Sequence, residues 1–105
     1  MTAKLIIPLT PATERYRDDL HRFVSAMIHK LDKNAHKGHW EDLDVIAALN
    51  RLNDESKELL DELVCRPNEV GNIVMEAADV ANFALIISSI IHRDQNVKSL
   101  RSTEN

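Results

Sequence analysis

Residues 69–92 read EVGNIVMEAADVANFALIISSIIH, and this stretch decides the fold. Its apolar residues fall on nearly every side of a helix, and it contains no proline. A helix that is apolar around its whole circumference is buried on all sides. We therefore predict a central helix that the rest of the chain covers only in part, with a second copy of the chain supplying the remaining cover.

Two amphipathic helices are predicted before the central one, because apolar residues recur there at spacings of three and four. Thr10 and Pro11 are typical of a helix start, and Arg66-Pro67-Asn68 is typical of a helix end. The predicted fold class is all-α: a bundle of three main helices, completed by dimerisation, in one domain spanning 1–105. The expected helices cover about 11–31, 42–64 and 69–92, and a polar, frayed tail follows over 95–105.

The composition of the chain argues against nucleic-acid and membrane partners. The net charge of −4 argues against nucleic acid, since binding to a phosphate backbone usually needs a basic face. Cys65 is the single cysteine, so no internal disulfide can form and a cytoplasmic location is expected. No uninterrupted apolar run approaches the roughly 20 residues that span a bilayer, and no membrane partner is expected.

Polar residues interrupt the apolar central helix at Glu76, Asp79 and Asn82, a spacing that places all three on one face. Ionised carboxylates in apolar surroundings are costly unless they are paired or bind a metal. Glu55 and Glu58 repeat the spacing on the second helix, so antiparallel packing would bring the two pairs together. Oxygen ligands from two helices suit Mg²⁺ or Mn²⁺. Di-iron sites differ, since they normally carry Glu-x-x-His.

Each carboxylate pair also has an ordinary interpretation. Glu55 and Glu58 lie on an acidic helix and would then form a solvated face. Glu76 and Asp79 would then form a buried ion pair with a lysine or an arginine. The occurrence of both pairs on neighbouring helices favours the metal hypothesis.

The segment Asp54-Glu55-Ser56-Lys57-Glu58, followed after seventeen residues by Glu76-Ala77-Ala78-Asp79, resembles the signature of the MazG-like, all-alpha NTP pyrophosphohydrolases. Two more segments resemble the family: Lys37-Gly38-His39-Trp40-Glu41-Asp42, and residues 77–83. The resemblance covers roughly residues 20 to 92. It is strongest to the compact, single-domain subtype exemplified by an integron-cassette protein.

The resemblance implies an Mg²⁺-dependent house-cleaning hydrolase that converts (d)NTP and water into (d)NMP and pyrophosphate, with dCTP or dATP favoured. By position, Glu55, Glu58, Glu76 and Asp79 would bind the metal, and Glu55 or Glu58 would orient the attacking water. Further candidate contacts to the substrate are Lys30, Lys33 and Lys37 for the phosphates, Trp40 for the base, and Asn34 and Asn82 for sugar or base.

Two other functions remain open at this point. One is a non-catalytic helical module for interaction or regulation, and the other is a related pyrophosphohydrolase that acts on phosphoribosyl-ATP. The homo-oligomer is expected to be a dimer or a tetramer.

Overall fold

The computed structural model describes residues 3–35 and 42–103, with side chains as far as residue 95. All regular structure within these residues is helical, which confirms the predicted all-α class. A short 3-10 helix, Glu14–Tyr16, precedes three α-helices: α1 (Arg17–Asn34), α2 (Val45–Cys65) and α3 (Val70–Thr103).

The helices begin and end at other residues than the sequence predicts. The first begins at Arg17 rather than at 11, because Thr10 closes a turn: its carbonyl accepts hydrogen bonds from the Thr13 and Glu14 backbone amides, both at 3.0 Å. At the other end, α3 continues to Thr103, where a polar tail was predicted from residue 95. No glycine or proline follows Gly71 in the sequence, so no strong helix breaker ends α3 early.

α3 is the central helix, and both other helices run antiparallel to it. Ala48, near the start of α2, packs with Ile86 and Ile90 in the middle of α3. Glu55, further along α2, lies near Glu76 and Asp79, earlier in α3. On the α1 side, the Met27 carbonyl accepts a hydrogen bond from Asn82 Nδ2 at 3.1 Å. Over the described residues, α1 and α2 each approach the backbone of α3 closely but do not approach each other. The arrangement is therefore open, with α3 flanked on two sides.

The buried core is correspondingly small. Among the described residues, only five hydrophobic side chains are buried, and three of them are alanines: Ala26, Ala48, Ala78, Ile86 and Ile90. Large apolar side chains remain exposed on all three helices. A single copy of the chain therefore leaves many large apolar side chains in contact with water.

Part of this surface is a stripe on α3, here called the α3 stripe. Val70, Val74, Leu85 and Ile91 are its large members and are 66, 37, 41 and 44% exposed. The small residues between them are Ala77, Ala81, Ala84 and Ser88. At 100° per residue the stripe is centred on the side of α3 opposite Asp79. α3 thus carries its apolar stripe and its carboxylates on different faces.

By length and composition, Val70–Gln95 is also able to cross a membrane: its most apolar stretch of 18 residues has a mean hydropathy of 1.7, and 22% of that stretch is buried. No uninterrupted apolar run has this length, but the helix reaches it with a few polar residues inside the segment. One such helix is weak evidence for a membrane, since a core helix of a soluble protein has the same properties.

α2 begins at a side-chain cap. Asp44 has an extended backbone, with φ −79° and ψ 164°, and its Oδ1 accepts a hydrogen bond from the Ala47 amide at 2.8 Å. The carboxylate thereby satisfies an amide that has no partner within the helix, and it sits at the positive end of the helix dipole. The cap explains why α2 starts at Val45 rather than at the predicted 42.

We expect Asp44→Ala to lower the free energy of unfolding by about 1 kcal/mol, because the cap hydrogen bond is lost. Urea unfolding at one fixed protein concentration measures the change. Asp42→Ala is the matched control, because the Asp42 side chain is exposed and has no hydrogen bond to a described residue. Equal losses in the two variants would contradict the assignment of the cap.

Candidate metal centre

Three carboxylates from two helices converge at the contact between α2 and α3. Glu55 of α2 and Glu76 and Asp79 of α3 each offer one carboxylate oxygen, and these oxygens all lie within 4.8 Å of one another. We call these residues the carboxylate cluster. Glu58 lies beside it, close enough to Glu55 and Glu76 that its carboxyl group contributes to the raised pKa of both. The two acidic pairs that the sequence places on neighbouring helices therefore do meet.

The local sequence explains the close approach. Glu76 and Asp79 are three residues apart on α3, so both point to the same side of the helix. Each helix carries one buried alanine, Ala26, Ala48 or Ala78. The distance between packed helices depends on the side chains at their contact, and alanine permits a short one.

Burial and mutual repulsion make the ionised form of the cluster costly. Burial is the largest cause that raises the pKa of Glu55, and Glu58, Asp79 and Glu76 raise it further, to about 7. The pKa of Glu76 is also raised, first by burial and then by the charges of Glu58 and Asp79, while Lys30 opposes the shift. A bound divalent cation would oppose both shifts, because its positive charge stabilises the ionised carboxylates.

Two carboxylate oxygens of the cluster are buried without a hydrogen-bond partner among the described residues, namely Oε2 of Glu55 and Oε2 of Glu76. Buried polar atoms are rarely left unpaired, so each calls for a partner. The donor set consists of oxygens alone, which suits Mg²⁺ or Mn²⁺ better than zinc. Octahedral Mg²⁺ with ligands at about 2.1 Å places its ligand oxygens roughly 3–4 Å apart. The spread of up to 4.8 Å lies close to that requirement, so the residues fit the metal.

Asp79 also has a partner within the chain. Lys30 Nζ of α1 lies 3.2 Å from Asp79 Oδ2, and the two side chains are only 19 and 17% exposed. The ordinary interpretation, an ion pair at Asp79, is therefore present in the structure. It accounts for one oxygen of Asp79 and leaves the unpaired oxygens of Glu55 and Glu76 unexplained.

Asn82 lies one turn after Asp79 and is 6% exposed. Its Nδ2 donates to the Met27 carbonyl at 3.1 Å, while its Oδ1 has no hydrogen-bond partner among the described residues. The amide therefore fastens α1 to α3 beside the cluster and retains one free acceptor. Sequence reasoning did not identify Met27 as its partner, because a backbone carbonyl leaves no signal in the residue type.

None of the remaining predicted substrate contacts that the structure describes forms an ion pair or a hydrogen bond with the carboxylate cluster. Lys33 is exposed on α1 and forms no ion pair or hydrogen bond with a described residue. Asn34, at the end of α1, is partly buried. Lys37 and Trp40 lie outside the described residues. Among the six predicted contacts, the structure thus brings Lys30 to Asp79, and it places Asn82 one turn along α3 from the cluster.

The fold and the site together define an all-α protein with a carboxylate cluster between two antiparallel helices. The chain matches no model of a known protein family, no curated protein and no solved structure. The MazG-like resemblance of the carboxylate spacing therefore stays a prediction.

We expect the metal-free protein to be more stable at pH 5 than at pH 8. In the folded chain the pKa of Glu55 is raised from its ordinary value of 4.5 to about 7. Protonation of Glu55 therefore favours the folded state, fully below pH 4.5, and this contribution is lost as the pH rises through 7. Thermal unfolding in EDTA across this range measures the effect.

The matched pair for that experiment is Glu55→Gln and Asp61→Asn. The first should remove much of the pH dependence, because a neutral amide replaces the titrating carboxyl. The second changes an exposed carboxylate of the same helix and should behave like the unmodified chain. A melting temperature of the unmodified chain that does not fall between pH 5 and pH 8 would argue against the raised pKa.

Proposed function

We propose that this chain is an Mg²⁺-dependent nucleoside triphosphate pyrophosphohydrolase of the MazG-like type, which converts (d)NTP and water into (d)NMP and pyrophosphate. The observation that carries the proposal is the carboxylate cluster, in which Glu55, Glu76 and Asp79 converge from two helices with two buried oxygens left unpaired. The spacing of these residues along the chain supports the choice of reaction through its resemblance to the family signature.

Each residue at the site has a task in this reaction. Glu55, Glu76 and Asp79 would hold the metal, with Glu58 beside them. Bound Mg²⁺ supplies neutralisation of the triphosphate charge and polarisation of the α-phosphorus. The ammonium of Lys30 lies within 3.2 Å of Asp79, close enough to the cluster to bind a phosphate oxygen of a substrate held there.

The orienting of the attacking water falls to Glu55 or Glu58. Glu58 is the better candidate of the two, because a carboxylate that orients the attacking water has to keep one oxygen free for that water. Glu58 is exposed to solvent, whereas Glu55 is partly buried and belongs to the cluster of three oxygens. Glu58 contributes to the raised pKa of both Glu55 and Glu76, so it lies next to the proposed place of reaction.

The finer features of the proposal derive from the sequence. They are a house-cleaning role toward deoxynucleotides in the cytoplasm, a preference for dCTP or dATP, phosphate binding by Lys37 and stacking of the base on Trp40. Stacking tolerates several bases, because every base offers a π-face.

We expect Glu76→Gln and Asp79→Asn each to lower Mg²⁺-dependent turnover at least about 100-fold, since even residues that only support metal ligands contribute 10- to 100-fold. Release of pyrophosphate from a mixture of dNTPs is the measurement. Asp61→Asn, an exposed carboxylate on α2, is the control and should keep full activity. Circular dichroism should show that all three variants remain helical.

The same assay separates the other two functions. A folded protein that binds Mg²⁺ and releases no pyrophosphate from any dNTP or from phosphoribosyl-ATP would contradict the proposal in favour of a non-catalytic helical module. Release from phosphoribosyl-ATP alone would keep the metal site and replace the substrate.

We further propose that the working unit is a homo-oligomer, a dimer or a tetramer, assembled through the α3 stripe. Apart from Leu85, which lies directly beside Ala84, its members from Val70 to Ile91 alternate in spacing between four and three residues, the pattern of a helix that pairs with another helix. Small residues in the middle of the stripe permit close approach of two such helices. Burial of each large apolar side chain contributes about 1.5–3 kcal/mol, which helps to offset the entropy lost on association.

We expect Ala84→Glu to weaken this assembly, because the charge would be buried unpaired in the α3 stripe. Asn72→Glu is the control, since Asn72 lies on the same helix outside the stripe and is exposed. Sedimentation equilibrium at low micromolar concentration is the measurement. An unmodified chain that sediments as an 11.9 kDa monomer would rule out the oligomer.

A further inference from the structure

The carboxylate cluster already has a cation at its edge, and that cation belongs to the chain. Lys30 Nζ lies 3.2 Å from Asp79 Oδ2. Both side chains are mostly buried, at 19 and 17% exposed, so salt screens this pair less than a surface ion pair. Lys30 comes from α1, whereas the three carboxylates come from α2 and α3.

A divalent cation and this ammonium are in competition for the same negative charge. Asp79 is one of the three residues that would hold the metal, and its Oδ2 faces Lys30. An ion bound there would bring two positive charges next to a third, and the repulsion is strong where water is largely excluded. Lysine carries its charge on a flexible four-carbon stem, so the ammonium can leave Asp79 without movement of α1.

We propose that Lys30 is a built-in counter-ion of the carboxylate cluster, which Mg²⁺ displaces from Asp79, so that the ammonium is released to bind the triphosphate only when the metal is present. The proposal rests on the proposed metal site. It makes binding ordered, because the metal-free cluster repels a triphosphate while Lys30 stays engaged with Asp79. Metal binding reduces the negative charge of the cluster and releases Lys30 from Asp79 at the same time.

Lys33 provides a reference within the same helix. It lies one turn beyond Lys30, is exposed, and forms no ion pair with a described residue. If Lys30 only fastens α1 to α3, metal will leave its ion pair intact, and both lysines will respond equally to Mg²⁺. If Lys30 is displaced, it alone will change.

Pulsed acetylation of the unmodified chain at pH 8, read by mass spectrometry, tests the displacement. Saturating Mg²⁺ should raise the acetylation rate of Lys30 relative to Lys33 about tenfold, the factor that corresponds to loss of about 1.4 kcal/mol of ion-pair protection. Inorganic tripolyphosphate added with excess Mg²⁺ should protect Lys30 again, whereas tripolyphosphate without metal should leave it as in the metal-free protein. A rate that does not respond to Mg²⁺, or no renewed protection by tripolyphosphate with Mg²⁺, would overturn the proposal.

Calorimetric titration with Mg²⁺ supplies a second readout that does not depend on activity. Lys30→Met should tighten Mg²⁺ binding about fivefold to tenfold, because the competing charge is gone. Lys30→Arg and Lys33→Met should stay within about twofold of the unmodified chain. Weaker or unchanged binding by Lys30→Met would show that Lys30 supports the site instead of competing for it, and would overturn the proposal.

The two proposals fail in distinguishable ways. An unmodified chain that binds no Mg²⁺ overturns the metal-dependent function and the displacement with it. An unmodified chain that binds Mg²⁺, with Lys30 unaffected by the metal and by substitution, overturns the displacement alone.

Discussion

The placement of two carboxylates in the apolar part of α3 is the constraint from which the rest of the structure follows. Glu76 and Asp79 lie partly buried within α3, where an ionised group is costly without a partner. The chain brings Lys30 from one side and Glu55 from the other, so one neighbour offsets the charge and the other adds to it. Burial raises the pKa of Glu55 and of Glu76, and the neighbouring carboxylates raise both further.

α3 also carries exposed apolar side chains on the face opposite Asp79. Val74, Leu85 and Ile91 remain substantially exposed although both other helices pack against α3. Because its carboxylates and its apolar stripe lie on different faces, α3 can bind a metal on one face and associate with a second copy through the other. Association through the stripe would bury apolar surface and leave the carboxylate face open to a substrate.

Sequence periodicity predicted the elements well, because the apolar spacing of each helix is regular. Periodicity predicted the ends of the helices less accurately. The turn closed by Thr10 and the cap at Asp44 set where α1 and α2 begin, and both depend on particular hydrogen bonds. The polar composition of 95–105 predicts a frayed tail, whereas the absence of glycine and proline allows α3 to continue to Thr103.

By itself the sequence determined the all-α class, the approximate helices and the carboxylates of the candidate site, because spacings of three and four along a helix translate directly into shared faces. Only the tertiary structure decided that Glu55, Glu76 and Asp79 meet, that Lys30 pairs with Asp79 and that Asn82 bonds to Met27. These contacts join residues distant along the chain. They depend on how closely and in which direction the helices pack, and that is set by buried alanines and by the combined fit of all three helices.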